Sequence, residues 1–315
     1  MKIVVYGPDR RVGALVGTDV IDLNAAAGLP SDLEEFILQG DAGIEAAQRA
    51  IEQVGKVGGE EGVIIPAADA HLRAPLAHRG VKICMAGANY ADHAFDMAKR
   101  ANPDTTMEQV REAARSRGIA GFWKLTDFVT DPYADVTYPV KAKYLDYEGE
   151  VTIVIGSTVK DFKGSDATPH IWGYTLQNDW SARDIGDAAL GGLSWSSQKN
   201  WDCSSTIGPC IVVGEISDPH NVDFQTTVDG QVRQTGNTKN MTFSFAEYLE
   251  HMTRDITFRP GDMIAAGTCK GTAMDQTPRV QGGGFETDKL FLRIGEVVEV
   301  SSPQIGTLRN KIVAK

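Results

Sequence analysis

The sequence predicts a strand-dominated α+β fold with a small α+β domain at the N-terminus. Three observations lead to this prediction. The 315 residues are enough for about two domains. Glycine accounts for 33 of the 315 residues, which is more than the usual share of about 7% and favours many tight turns. Short apolar, β-branched segments also recur between Gly, Pro and Asp turns, as in a fold built mainly from strands.

Two short strands and two helices are predicted near the N-terminus. The apolar runs 2–6 and 19–23 read as strands around a Gly-containing turn. Ser31 and Glu34 have the spacing of a capping box before an apolar run, which predicts the start of the first helix. Asp41 begins the second helix, which is expected to run through Val54 and to stop at Gly55.

A stretch rich in Gly, Ala and Pro, from Gly58 to Pro75, is interpreted as a connection into a larger unit. The predicted domains are therefore residues 1–75 and 76–315. In the larger domain the apolar, β-branched runs predict strands. These runs are 82–85, 151–155, 172–176, 211–213 and 297–300.

One helix stands out among these strands, between Asn102 and Gly118. Thr105 or Thr106 can cap its start, Gly118 can end it, and its apolar stripe is thin. We interpret it as a surface helix within a helical lid at about residues 90–121.

The composition excludes several classes of partner and location. The chain has 31 basic and 42 acidic residues, a net charge of −11, so a phosphate backbone would be repelled. The four cysteines lack C-x-x-C spacing and are expected to be reduced thiols. The apolar run near the start of the sequence is too short for the apolar region of a signal peptide. No apolar run elsewhere in the sequence reaches about 18 residues, the length expected of a membrane-spanning helix. We expect a soluble, cytoplasmic protein that binds neither nucleic acid nor membrane.

The segment DYEGEVTIVIG, residues 146–156, carries the strongest chemical signal. In a strand, Glu148 and Glu150 share one face at roughly 7 Å between Cα atoms. Two carboxylates so close repel each other unless a cation or solvent lies between them. The alternative interpretation is a half-exposed strand with solvated carboxylates.

A third carboxylate, Asp179, follows the predicted strand in GYTLQNDWSARD. An acidic residue at a strand end is usually a turn former. Together with Glu148 and Glu150, however, it would form an oxygen-only site that suits Mg²⁺ or Mn²⁺ and leaves positions for water and substrate. Such open positions are typical of a catalytic ion.

A possible base lies in AGANYADHAFD, where His93 and Asp96 are three residues apart. On a helical turn they share one side, and a carboxylate there can orient an imidazole for general-base catalysis. The alternative is a structural histidine, and the other histidines have no comparable neighbours.

Two further features are weaker. Lys199 would normally be a solvated surface charge, yet it could serve as a fixed cation for a substrate oxygen. In RPGDMIAAGTCKG, the residues Gly267, Thr268 and Gly271 could form an anion-binding nest, or simply a β-turn.

These segments together resemble the fumarylacetoacetate hydrolase family. The matching pieces occur in family order over about residues 82–313. They are GANYADHAFD, DYEGEVTIVIG, GYTLQNDWSARD, the stretch from Lys199 to Pro209, RPGDMIAAGTCKG and IGTLRN. The first 75 residues resemble the small variable domain of many members. The resemblance implies a mixed β-sandwich roll around a divalent metal, usually Mg²⁺ with Mn²⁺ or Ca²⁺ as alternatives, in a homodimer.

The resemblance also implies roles for individual residues. The implied metal ligands are Glu148, Glu150 and Asp179. The implied catalytic residues are His93, Asp96 and Lys199, and the implied substrate contacts are Tyr90, Arg183 and Thr268. Two positions depart from the family pattern: Asp96 stands where Glu is usual, and Gly186 where some hydrolases have Gln.

Members of this family cleave carbon–carbon bonds in acylpyruvates and 2,4-dioxo acids, which here would give pyruvate and a carboxylic acid. Others decarboxylate, isomerise or hydrate similar 2-oxo acids, so those reactions are the alternatives. A non-catalytic metabolite-binding protein is a further alternative. Serine or cysteine hydrolysis is disfavoured because the chain has no G-x-S-x-G segment.

Overall fold

A computed structural model describes residues 1–57, 62–78, 80–185, 194–280 and 284–315. Its strands, in chain order, are β1 (Lys2–Tyr6), β2 (Arg11–Val16), β3 (Asp19–Asp22), β4 (Ile64–Pro66), β5 (Leu72–Arg73), β6 (Ile83–Gly87), β7 (Ala120–Lys124), β8 (Val129–Thr130), β9 (Val136–Thr137), β10 (Leu145–Asp146), β11 (Gly149–Ile155), β12 (Ile171–Asp179), β13 (Ser181–Ala182), β14 (Ser205–Val212), β15 (Asp223–Val228), β16 (Gln231–Asn237), β17 (Met263–Ala265), β18 (Val297–Ser302) and β19 (Gly306–Val313).

The helices lie mostly between strands. They are α1 (Leu23–Ala27), α2 (Leu33–Leu38), α3 (Gly40–Val57), α4 (Ala91–Ala101), α5 (Met107–Arg117), α6 (Ser194–Lys199), α7 (Phe245–Met252) and α8 (Ala273–Gln276), with 3₁₀ turns at Thr126–Phe128, Thr168–His170 and Thr238–Asn240. No helix of the described ranges is both long and apolar enough to cross a membrane.

Twelve of the described strands form one large mixed sheet. Its order is β4-β3-β2-β1-β14-β12-β11-β17-β6-β7, with β5 paired to β1 and β8 paired to β14. Most pairs are antiparallel, whereas β17 with β6 and β14 with β8 are parallel. The N-terminal strands extend this sheet directly, because Ile3 of β1 pairs with Ile211 of β14. The predicted domain boundary at residue 75 therefore stays a prediction.

A second, five-stranded sheet has the order β16-β15-β18-β19-β9. Between the two sheets lies one apolar core, in which Val151 and Ile153 of β11 meet Phe224 of β15 and Val300 of β18. The opposite face of the large sheet is covered by the N-terminal helices, through residues such as Phe36 of α2. Strand β11 is consequently buried on both faces. This strand-dominated arrangement confirms the predicted fold class.

Several element predictions are confirmed with shifted ends. Helix α5 begins at the predicted Thr106 cap with a complete capping box and ends at Gly118. The cap of α2, by contrast, is Asp32 and not Ser31, because the Asp32 carboxylate accepts from the backbone N–H of Glu35. Helix α3 continues through Gly55, where the prediction placed its end. A glycine inside a helix costs only about 1 kcal/mol, which packing of the apolar face can offset.

Candidate metal centre and active site

Strands β11 and β12 bring the three predicted metal ligands together. Glu150 lies in β11, Glu148 immediately precedes it, and Asp179 is the last residue of β12. The antiparallel register pairs Gly149 with Asn178, so the end of β12 lies beside the start of β11. One carboxylate oxygen from each of the three residues lies within 4.8 Å of the others.

All three carboxylates are buried: Glu148 is 6%, Glu150 1% and Asp179 1% exposed. The alternative of a half-exposed strand with solvated carboxylates is therefore wrong. Buried charges of one sign require a counter-charge, because transfer from water into a protein interior strongly disfavours an unpaired ion.

Fixed cations neutralise two of the three carboxylates. The Lys199 Nζ lies 2.6 Å from Glu148 Oε2 and 2.7 Å from Asp179 Oδ2, and also donates to Ser181 Oγ at 2.5 Å. These contacts use all three N–H donors of the ammonium group. The Nζ of Lys124, at the end of β7, lies 2.5 Å from Asp179 Oδ1. Lys199 therefore lies in the cluster and not on the surface.

Glu148 has a second cationic partner, Arg183, whose Nη2 lies 2.5 Å from Glu148 Oε1. Burial alone would raise the pKa of Glu148, but Lys199 and Arg183 outweigh it and hold this pKa well below its usual range. The predicted substrate contact Arg183 is thus engaged with the carboxylates.

Glu150 differs from the other two carboxylates. In the described parts of the chain it has no ion pair, and its Oε2 accepts one hydrogen bond, 2.9 Å long, from the backbone N–H of Gly267. Burial, followed by repulsion from Asp179 and Glu148, raises the pKa of Glu150 well above its usual value. A divalent cation would supply the missing charge, and an oxygen-only donor set suits Mg²⁺, Mn²⁺ or Ca²⁺. The residues present therefore fit a metal.

A buried histidine–carboxylate pair lies beside this cluster. His93 is in α4, and its Nδ1 lies 2.9 Å from Asp275 Oδ2 of α8. Burial lowers the pKa of His93, but the charge and hydrogen bond of Asp275 outweigh it, and the charge of Glu148 adds to the rise. The structure thus gives the carboxylate partner of His93 as Asp275, which corrects the prediction of Asp96. Although Asp96 is in the same helix, its side chain is exposed.

Asp146 completes the charged network. Its Oδ2 accepts from Arg183 Nε at 2.9 Å, and its two oxygens accept from the backbone N–H groups of Ala273 and Met274 at the start of α8. One arginine and one aspartate thereby link the cluster around Glu148 to the helix that carries Asp275.

The family model described as "Fumarylacetoacetate (FAA) hydrolase C-terminal" matches residues 82–313, which include every residue of this network. The chain belongs to this family. Its relatives include the human mitochondrial "oxaloacetate tautomerase FAHD2A", which is 29% identical over 321 residues, covering 99% of this chain and 92% of the relative.

Solved structures of the fumarylacetoacetate hydrolase family share the fold over the whole chain. A fumarylacetoacetate hydrolase from psychrophilic Exiguobacterium antarcticum is 26% identical, with a TM-score of 0.75 and 100% of both chains covered. A 5-carboxymethyl-2-hydroxymuconate delta-isomerase from Mycobacterium smegmatis is 25% identical, with a TM-score of 0.69 and the same coverage. The family therefore contains enzymes of more than one reaction type.

Two of the residues that the family resemblance predicts to contact the substrate, Tyr90 and Thr268, are buried. Tyr90 is 0% exposed, and its ring packs edge-on against Phe224 with 6.2 Å between ring centroids. The Thr268 hydroxyl donates to Gly149 O at 2.9 Å and accepts from Gln234 Nε2 at 2.7 Å. Their roles toward a substrate stay predictions. Gly186, the other departure from the family pattern, lies outside the described residues.

Three residues of the network were missed from the sequence. Asp146 shares the alternation of Glu148 and Glu150, so the period of two was a usable signal. Lys124 was visible only as a lone charge at the end of an apolar run. The signal for Asp275, Thr272-x-x-Asp275, indicates a helix start, and nothing local connects it with His93, 182 residues away.

Proposed function

We propose that this protein is a divalent-metal-dependent enzyme that transfers a proton at C3 of a 2-oxo acid, with the keto–enol tautomerisation of oxaloacetate as the first reaction to test. The observation that carries this proposal is the buried cluster of Glu148, Glu150 and Asp179 with the His93–Asp275 pair beside it. A Mg²⁺ or Mn²⁺ ion held by the cluster would act as a Lewis acid that stabilises negative charge on the oxygens of an enolate.

The hydrogen bond to Asp275 defines the form in which His93 can act. The Asp275 carboxylate accepts, so Nδ1 of a neutral His93 carries the proton and Nε2 keeps a free lone pair. Nε2 can then take the proton from C3. The electron pair of the C3–H bond moves into the enolate, and the 2-oxo oxygen gains the charge. Transfer of the proton to the 2-oxo oxygen gives the enol, whereas its return to C3 regenerates the keto acid and, in D₂O, exchanges the C3 hydrogen.

The relatives support tautomerisation over cleavage of a carbon–carbon bond. The human oxaloacetate tautomerase is similar over nearly the full length of both chains, so its similarity is not limited to the metal-binding strands. Tautomerisation also requires only a base and a stabilised enolate. It does not need a separate site for an attacking water.

Hydrolysis of an acylpyruvate is the second candidate. The same Nε2 could take a proton from water, whose oxygen would attack the 4-oxo carbon before the C3–C4 bond breaks. The similarity to the fumarylacetoacetate hydrolase of E. antarcticum favours keeping this candidate.

Proton exchange in D₂O tests the proposal. We expect the protein with Mg²⁺ to accelerate deuterium incorporation at C3 of oxaloacetate, followed by NMR, and EDTA to remove this acceleration. The His93→Ala and Asp179→Asn variants should each lose most of it. No acceleration above the Mg²⁺-only background would overturn the proposal, and if an acylpyruvate is not cleaved either, a non-catalytic metabolite-binding protein is favoured.

The same protein samples, given an acylpyruvate, distinguish a tautomerase from a hydrolase. A hydrolase would convert an acylpyruvate to pyruvate and a carboxylic acid in stoichiometric amounts. A tautomerase would exchange its C3 protons and leave the carbon skeleton intact. We expect the second result.

A further inference from the structure

Gly149, the residue between the two ligand glutamates, is held at both of its backbone polar groups. Its N–H donates to Gln234 Oε1 at 3.0 Å, and its carbonyl oxygen accepts from the Thr268 hydroxyl at 2.9 Å. Because Glu148 and Glu150 are its direct neighbours, any shift of Gly149 changes the separation of their carboxylates.

Gln234 connects these two contacts. Its Nε2 donates to Thr268 Oγ1 at 2.7 Å and to the carbonyl oxygen of Cys269 at 2.9 Å. The side chain is buried, with 1% exposed. One carboxamide of β16 thus joins strand β11 to the loop that follows β17, and the three residues Gln234, Gly149 and Thr268 form a closed hydrogen-bonded ring.

The second sheet also approaches Gly149 closely from β15 and β18. A Cβ atom at this position would lie 2.3 Å from Thr226 Oγ1 and 3.1 Å from Val300 Cγ1. Only a glycine fits between these side chains. The backbone between the two ligands is therefore fixed by the second sheet, both by packing and by the ring.

The loop after β17 holds the same region from the other side. The backbone N–H of Gly267 donates to Glu150 Oε2, and the next residue is Thr268. A threonine hydroxyl has one proton, which Thr268 gives to Gly149 O. That proton is not available to a substrate carboxylate while the ring is closed.

We propose that Gln234 is a positioning residue for the metal site, acting through Gly149 and Thr268 on the spacing of Glu148 and Glu150. The inference rests on the metal site of the proposed function and adds to it a residue on the second sheet.

Mn²⁺ binding to the purified full-length chain, measured by EPR titration, tests the inference without any substrate. Gln234→Met keeps the length of the side chain but removes its hydrogen bonds. We expect Mn²⁺ to bind this variant about 10- to 100-fold more weakly, as for other residues that orient metal ligands. Thr268→Val should weaken binding to a similar extent, and Thr268→Ser should restore it to near the wild-type value.

Asn310→Leu provides a matched control. Asn310 is also a buried amide of the second sheet, and its Nδ2 donates to Ala134 O at 2.8 Å, outside β11. We expect it to lower stability but leave Mn²⁺ affinity unchanged. If Gln234 and Thr268 act as one ring, the double variant Gln234→Met with Thr268→Val should bind Mn²⁺ no more weakly than the worse single variant.

The outcomes separate this inference from the proposed function. If the wild-type chain does not bind Mn²⁺, the proposed function fails. If the wild type binds and Glu148→Gln does not, unchanged affinity in a folded Gln234→Met variant overturns the inference alone. If Gln234→Met does not fold, the Mn²⁺ affinities of Thr268→Val and Thr268→Ser test the inference instead. A Thr268→Val variant with a raised substrate KM at saturating Mn²⁺ and normal Mn²⁺ affinity would also overturn it.

Discussion

Glu148 and Asp179 each contact fixed cations, whereas Glu150 accepts only from a backbone N–H in the described chain. The spacing in DYEGEV and the position of Asp179 at a strand end were enough to predict these three residues. Asp275 could not be predicted, because only the fold brings α8 to α4. Local spacing finds ligands that share a strand pair but not partners that meet through tertiary packing.

We expect Asp275→Asn to slow catalysis by roughly 10- to 100-fold, at or below the low end of the range for acid–base groups, because Asp275 orients His93 and His93 itself remains. The amide oxygen can still accept from the backbone N–H groups of Gly271 and Thr272, so α8 keeps its cap. The charge that raises the pKa of His93 is lost, however. The rise of rate with pH should therefore move to lower pH.

The matched control is Asp96→Asn, since the exposed Asp96 is in the same helix as His93. Its rate and pH profile should equal those of the wild type. Steady-state rates from pH 5 to 9 check both variants. A loss of rate in Asp96→Asn but not in Asp275→Asn would contradict the assignment of Asp275.

Glu150→Gln should make the metal-free protein more stable at neutral pH by about 1 kcal/mol or more, because burial penalises the charged form of Glu150, which the unfolded chain is free to adopt, and the amide carries no charge in either state. It should also remove the stabilisation that Mg²⁺ gives the wild type. Thermal unfolding in EDTA and in Mg²⁺ measures both effects. Glu148→Gln is the control of opposite sign, since it takes one of the two carboxylate partners from each of the buried cations Lys199 and Arg183. A less stable Glu150→Gln protein in EDTA would contradict this prediction.

At the scale of the elements, most strand and helix positions followed from apolar runs, turn residues and caps. Strand β2 was missed because its apolar run is interrupted by Gly13. That glycine is required by packing: a Cβ there would lie 2.6 Å from Val20 Cγ1 of the neighbouring strand. A glycine that allows two strands to approach closely can therefore be mistaken, from the sequence alone, for a turn residue.

The start of α1 shows how one carboxylate supports several elements. Asp22 accepts from Tyr6 Oη at 2.6 Å and Arg11 Nε at 2.7 Å, and it caps the helix through the N–H groups of Asn24 and Ala25. Burial alone would raise the pKa of Asp22, but the hydrogen bonds from Tyr6, Ala25 and Arg11 hold it below its usual value.

Asp22→Ala should therefore destabilise the protein by about 1–3 kcal/mol, since it leaves a buried hydroxyl without its acceptor. Because the folded pKa is lowered, the contribution of Asp22 is complete above the unfolded value of about 3.9 and is lost as pH falls through the folded pKa. The deficit should stay constant from pH 5 to 8 and narrow only at more acidic pH.

Urea unfolding over this pH range provides the measurement. Asp32→Ala serves as the control, since Asp32 is an exposed cap that bonds one N–H group of α2. It should cost about 1 kcal/mol or less. A deficit in Asp22→Ala that shrinks between pH 5 and 8 would contradict the sign of the pKa shift.

At the scale of the whole molecule, the N-terminal strands share one sheet with β11 and β12, which carry the carboxylate cluster. Composition changes predicted a boundary near residue 75, but pairing between β1 and β14 links residues more than 200 positions apart, and such pairing leaves no local signal. The homodimer and the cytoplasmic location stay predictions, and sedimentation at micromolar concentration tests the first of them.

We expect the N-terminal unit and the larger unit to unfold together, because separating them would expose the edge of β14. All five tryptophans lie after residue 75, but Trp172 packs edge-on against Phe36 of α2, so their fluorescence reports on the larger unit and on its contact with α2, while far-UV circular dichroism also reports on α1 to α3 themselves. The two urea transitions should coincide. A loss of ellipticity that precedes the main fluorescence transition would indicate that the N-terminal unit unfolds independently.

The central claim is that three buried carboxylates from two adjacent strands hold one divalent ion. Anomalous scattering from a crystal of the wild-type protein grown with Mn²⁺ tests it most directly. We predict a single strong peak about 2 Å from an oxygen of each of Glu148, Glu150 and Asp179. Mn²⁺ bound only elsewhere, with these carboxylates still paired to Lys199 and Arg183 and no density between them, would contradict the account.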